Sequence, residues 1–139
     1  LKRLVLDASV SLRWFLDDPV PAYAASVRDF LSQGGRAIVP SLWHLEMANG
    51  FAVAERRGML AATNADLCVV QTERLVRHSI ETDGELISIR NAFSLARAYH
   101  LSSYDAAYLD TAQRNNIPLA TLDQPLRTAA ARAGVDLVR

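Results

Sequence analysis

Lysine is almost missing from this chain of 139 residues: of its fifteen basic residues only Lys2 is a lysine and the rest are arginine. Chemistry that needs a lysine beyond position 2 is excluded. Cysteine is as scarce. Cys68 stands alone in the apolar patch Leu67-Cys68-Val69-Val70, which rules out an internal disulfide framework, suits a reducing cytoplasm and places the thiol in the core. No apolar run approaches the ~20 residues needed to cross a bilayer, and no basic leader precedes an apolar signal segment, so a soluble cytoplasmic protein is expected. Net charge is absent too, because fifteen acidic residues cancel the basic ones. No overall positive field announces a nucleic-acid binder, and any such site must be local. Walker A, GxGxxG and GxSxG motifs are all lacking, so nucleotide hydrolysis, dinucleotide binding and serine esterase chemistry have no handle here. His44, His78 and His100 are widely separated and show no HExxH spacing, and no role is assigned to them.

Half of the chain is apolar, enough to bury one substantial core, so residues 1–139 are expected to form a single domain. The unbroken run Leu4-Val5-Leu6 reads as a buried parallel strand ending in Asp7. A helix comes next over 8–16, stopped by Asp17-Asp18-Pro19, because the residue before proline avoids the α region. A second helix is expected over 22–32, a strand over 37–39, and a longer helix from Pro40-Ser41 through about Arg57, with Gly58 at its C-terminal cap. Further helices are expected over 61–74, 85–99 and 103–114, with a third strand over 75–79 and a fourth over 119–121. Pro125 starts a last helix that ends near Gly134, and residues 135–138 suit a closing strand. Strands alternating with helices predict an α/β fold: a three-layer α/β/α sandwich around a central, mainly parallel sheet of four to five short strands. Reactive groups in such folds gather beyond the carboxyl ends of the strands.

Asp7 comes directly and Asp123 almost directly after a strand, so topology sends them to one edge of the sheet. Glu46 lies in a helix whose other positions are mostly apolar, between the directions of Leu42 and Val53 on one side and Trp43 and Gly50 on the other. Asn49, one turn on, shares its environment. Taken singly, each acid has a structural explanation. Asp7 and Asp123 stand where helix caps stand, Ser102 and Asp105 have capping-box spacing, and Glu46 has arginines with which to pair. Taken as a set, four carboxylates at one edge repel by roughly 3 kcal/mol for each pair about 5 Å apart at an effective dielectric of ~20. No lysine offsets this, so protons or a divalent cation must. Oxygen ligands without a cysteine or histidine motif favour Mg²⁺ or Mn²⁺ over zinc. An ion of that kind keeps several waters and makes one of them a ready nucleophile for a phosphodiester.

The segments DASVSLRWFL, LEMANGF, LSSYDAAYLDTA and PLATLDQPLRTAA occur in that order, and together they resemble the four acidic motifs of the PIN domain, in particular bacterial VapC-type toxin ribonucleases. The resemblance covers almost the whole chain. It implies that Asp7, Glu46 and Asp105 are the principal metal-binding and catalytic acids, with Asp123 the fourth. Thr121 matches the hydroxyl residue of the last motif, and Asn49 is a supporting residue beside Glu46. It further implies Mg²⁺- or Mn²⁺-dependent hydrolysis of RNA, a homodimer, and a cognate antitoxin that blocks the site. Two other functions draw on the same acids: a PIN-like binding domain with an idle metal site, and a phospho-receiver signalling domain. The receiver reading needs adjacent acids after the first strand and a late lysine, and the chain has neither.

Arg13, Arg56 and Arg57 are candidate RNA contacts set against an ordinary solvated surface. Trp14, Phe15 and Trp43 stand in apolar helical segments, which favours packing over base stacking. Asp110, about 140° round the helix from Asp105, is expected to be a surface acid.

Overall fold

The computed structural model describes all 139 residues. Its centre is a four-stranded, all-parallel sheet in the order β3-β2-β1-β4. Strand β1, Arg3–Leu6, contributes Leu4, Val5 and Leu6, all fully buried because helices cover both faces of the sheet. Strand β2, Arg36–Val39, pairs with β1 in the register Leu4 to Ala37 and Val5 to Ile38. Strand β4, Leu119–Ala120, lies on the other side of β1.

Beyond Asp7 stand two one-turn helices, α1 (Ala8–Ser11) and α2 (Arg13–Leu16), rather than the single helix expected, with Leu12 as the joint. Helix α3, Ala22–Ser32, has the expected bounds. Helix α4, Leu42–Arg56, buries Trp43, Met47, Phe51 and Ala54, a stripe at the helical period. Helix α5, Ala62–His78, runs four residues past the expected end and absorbs the strand expected over 75–79. The reason lies in the pattern: Leu75 and Val76, both packed against the core, continue the buried stripe of Ala65, Cys68 and Thr72 at spacings of three and four. Strand β3 is instead Ile80–Thr82, paired with β2 from Ala37 to Ile80.

Helix α6, Ile89–Tyr99, begins four residues later than expected, where the Ser88 hydroxyl accepts the Asn91 N–H as a cap. Helix α7, Ser103–Asn115, is buried from Ala106 to Ala112, and its small residues let it pack against the sheet. Helix α8 is Gln124–Arg132. The closing strand over 135–138 reduces to one bridge, Leu119 to Leu137, in which Leu119 N donates to Asp136 O and Val138 N to Leu119 O, both at 2.9 Å. Pro118 has no N–H with which to extend that ladder. No helix is long and apolar enough to cross a membrane.

The chain proceeds from β1 to β2 and β3 on one side, then crosses to β4 on the other. The switch in direction therefore falls between β1 and β4, and a crevice opens beyond their carboxyl ends.

Candidate functional site

Asp7 leaves the end of β1, and its N–H donates to Ala120 O of β4 at 3.0 Å, which fixes the residue at the switch point. Its side chain is only 4% exposed. Although Asp7 precedes α1, its carboxylate caps nothing. Two hydroxyls hold it instead: Ser9 Oγ donates to Oδ2 at 2.6 Å and Thr121 Oγ1 donates to the same oxygen at 2.7 Å. The clamp is braced in turn, because Leu122 N donates to Ser9 Oγ and Asp123 N to Thr121 Oγ1, each at 3.0 Å. Oδ1 is left without a side-chain donor.

Asp123 does cap, accepting the Leu126 N–H on Oδ2 at 3.0 Å. Asp105 sits in the first turn of α7, but the cap of that helix is the Ser102 hydroxyl, which accepts the Asp105 backbone N–H at 3.1 Å. The reciprocal bond of a capping box, from the Asp105 carboxylate to the Ser102 N–H, is not made, so that carboxylate is free to face outward. Glu46 pairs with no arginine. Its Oε1 accepts the phenol of the fully buried Tyr108 at 2.6 Å.

These four acids line one cleft of about 320 Å³ together with Ser9, Leu12, Asn49 and Gly50. No lysine, arginine or histidine lines it, and none of the four acids belongs to an ion pair. A larger cavity of about 790 Å³ near the chain termini holds one acidic side chain, Asp136, and no comparable set.

Electrostatics register the crowding. Burial pushes the Asp7 carboxyl up, against the Ser9 and Thr121 hydroxyls, and the charge of Asp123 adds to the rise. Burial also raises Glu46, opposed by the Tyr108 phenol and reinforced by Asp7 and Asp105. Asp105 rises to about 6, first through burial and then through Asp123 and Asp7. Each of the three therefore feels at least one other acid across the cleft.

Such a donor set, four carboxylates with hydroxyl and amide oxygens, is the chemistry of a hard divalent cation. No three His, Cys, Asp or Glu side chains close on a point where all would ligate one ion directly. Mg²⁺ is commonly bound through one or two carboxylates while retaining several waters, and a wide, uncompensated acidic cleft fits a hydrated ion of that kind.

Asn49 lines the cleft, and Thr121 meets it through its bond to Asp7. Ser9, which lines the cleft and holds Asp7, lies outside the expected set, although a hydroxyl two residues beyond a strand-ending aspartate is a readable signal. Asp110 is not a surface acid: it is 6% exposed and accepts Arg114 Nε at 2.8 Å. Rotation by 140° carries it from the cleft to another packed side, because α7 is covered nearly all round. Arg13 is committed to Asp17 at 2.7 Å, whereas Arg56 and Arg57 are exposed at the end of α4. Trp14 and Trp43 are core residues, in keeping with their apolar surroundings, and Cys68 is buried and free.

An all-parallel sheet with carboxylates gathered at its switch point defines the class: the chain belongs to the PIN domain family, whose model matches residues 4–131. The PIN domain is in general a fold of metal-dependent nucleases. Among solved structures, that of PAE2754 from Pyrobaculum aerophilum is similar over 93% of this chain and 84% of its own, with a TM-score of 0.67 and 18% identity. At that identity the likeness is one of fold. No curated protein matches the chain.

Proposed function

We propose that the protein is a Mg²⁺- or Mn²⁺-dependent endoribonuclease of the VapC type, the toxin of a type II toxin-antitoxin pair acting in the cytoplasm. One observation carries this reading: Asp7, Glu46, Asp105 and Asp123 line a single cleft that contains no cationic side chain. Buried carboxylates crowded without a counter-charge are costly, and a bound divalent cation relieves the cost. When bound, the ion supplies an acidified water and positive charge at the phosphate.

The chain's own residues supply orientation. Ser9 and Thr121 hold Asp7 by Oδ2, so that Oδ1 is directed by a fixed carboxylate plane. Glu46 and Asp105 stand on separate helices, α4 and α7, that both line the cleft. Asn49, the one neutral amide lining the cleft, offers N–H donors for a phosphate oxygen. The partners that accompany this function are an RNA substrate, a second copy of the chain and a cognate antitoxin that blocks the cleft.

The test is incubation of purified, antitoxin-free protein with total RNA in Mg²⁺ or in EDTA, beside Asp7→Asn and Asp105→Asn. RNA should be cut only by the wild type and only with metal. Cleavage that persists in EDTA, or that survives both substitutions, would sink the proposal.

A further inference from the structure

Tyr108 lies three residues after Asp105 on α7, so the two side chains leave the helix on neighbouring directions. Asp105 stays at the cleft, while Tyr108 reaches inward, is fully buried, and places its hydroxyl 2.6 Å from Glu46 Oε1 on α4. No other side-chain hydrogen bond joins α4 to α7. The remaining polar side-chain contacts of α4 go elsewhere: Trp43 Nε1 and Met47 Sδ meet Ser11, and His44 meets Thr82. The two walls that carry Glu46 and Asp105 are thus held to each other at the cleft by one phenol. A phenol this close to a carboxylate oxygen donates to it, so the contact runs from the ring to Glu46.

A glutamate on a mid-helix position has three rotatable side-chain bonds, and water at the mouth of the cleft competes for its oxygens. With Oε1 fixed by a rigid, packed ring, only Oε2 is left to move, and it moves about a fixed point. Resting on the reading of the cleft as a cation site, the geometry points to Tyr108 as a positioning residue that sets the cleft's preference for a small divalent cation over a large one, by fixing Glu46 and its span to Asp105. Mg²⁺ demands near-ideal octahedral geometry at about 2.0–2.1 Å, whereas Ca²⁺ accepts 2.3–2.6 Å and irregular coordination. Loosening one wall therefore penalises the small ion more than the large one.

Calorimetric titration of the full chain with Mg²⁺ and separately with Ca²⁺ tests this, using wild type, Tyr108→Phe and Glu46→Gln, with the melting temperature of each metal-free protein measured alongside. Tyr108→Phe keeps the ring and removes the hydroxyl. It should lower Mg²⁺ affinity by about tenfold, as loss of a residue supporting a ligand commonly does, and lower Ca²⁺ affinity by far less. A change in folding stability alone would not alter that ratio. Glu46→Asp, which is too short to reach the phenol, should shift the ratio in the same direction and serves if Tyr108→Phe does not fold. Equal losses for both ions, or Mg²⁺ affinity within twofold of wild type, would overturn the positioning role. If Glu46→Gln leaves both ions bound as tightly as before, it is the reading of Glu46 as a ligand that has failed.

Discussion

Asp105→Asn removes a charge from the acid cleft without touching the cap of α7, which is made to the Asp105 backbone N–H. Burial and the charges of Asp123 and Asp7 raise this carboxyl from 3.8 to about 6. A carboxyl whose pKa is raised on folding binds its proton more tightly in the folded state than in the unfolded chain. Below the unfolded value it contributes no penalty. The penalty grows as pH rises from about 3.8 and is complete above about 6. Two pKa units correspond to about 3 kcal/mol at full weight. Asp105 is partly exposed, and solvent screening reduces this to about 1–2 kcal/mol. For a domain of this size each kcal/mol moves the melting temperature by about 3–4 °C. In EDTA at pH 7, Asp105→Asn should therefore melt about 3–8 °C above wild type, and at pH 4.5 the gain should shrink to about a third. Scanning calorimetry of both proteins at the two pH values is the assay. A variant that melts no higher than wild type at pH 7, or that gains equally at pH 4.5, would refute the view that ionised Asp105 is held against its preference.

The wild type should also be stabilised by metal, by about 2.7 kcal/mol at a hundred times the dissociation constant, and a thermal-shift titration should show Asp7→Asn gaining much less. Arg114 joins Asp83, Glu85 and the buried Asp110 from a partly exposed position, so Arg114→Ala leaves Asp110 without its partner and should cost about 1–2 kcal/mol. A urea midpoint unchanged by that substitution would contradict it. Thr121→Val removes one of the two hydroxyls that favour ionised Asp7. The Asp7 carboxyl then rises further, and the acidic limb of the pH–rate profile should move to higher pH; an unmoved limb would separate Thr121 from the chemistry.

Much of the fold is legible in the sequence because its signals are local. An unbroken Leu4-Val5-Leu6 ending in aspartate marks a buried strand and the edge of the sheet from which its last residue projects, and helical period alone places Glu46 on a shielded face. Errors arise where one local pattern suits two structures. Leu75 and Val76 look like strand residues until the stripe from Ala65 is traced through them. Asp110 is misplaced for a different reason: rotation about a helix gives a direction, and only tertiary packing says what lies there. The clamp on Asp7 and the phenol on Glu46 join residues 114 and 62 positions apart, and no periodicity reports such pairs.

Strand β1 is made before the other three strands and lies inside the sheet, yet its partner at the cleft, β4, is the last strand to be made. While the protein emerges from the ribosome, β1, β2 and β3 are present long before Thr121 and Asp123. Asp7 must wait for the Thr121 half of its hydroxyl clamp and for Asp123 until more than a hundred further residues have been added. Pairing across such a separation is entropically slow and comes late. The acid cleft is therefore a property of the completed sheet, and a nascent chain that lacks β4 holds Asp7 at a bare sheet edge with only Ser9 to bond it.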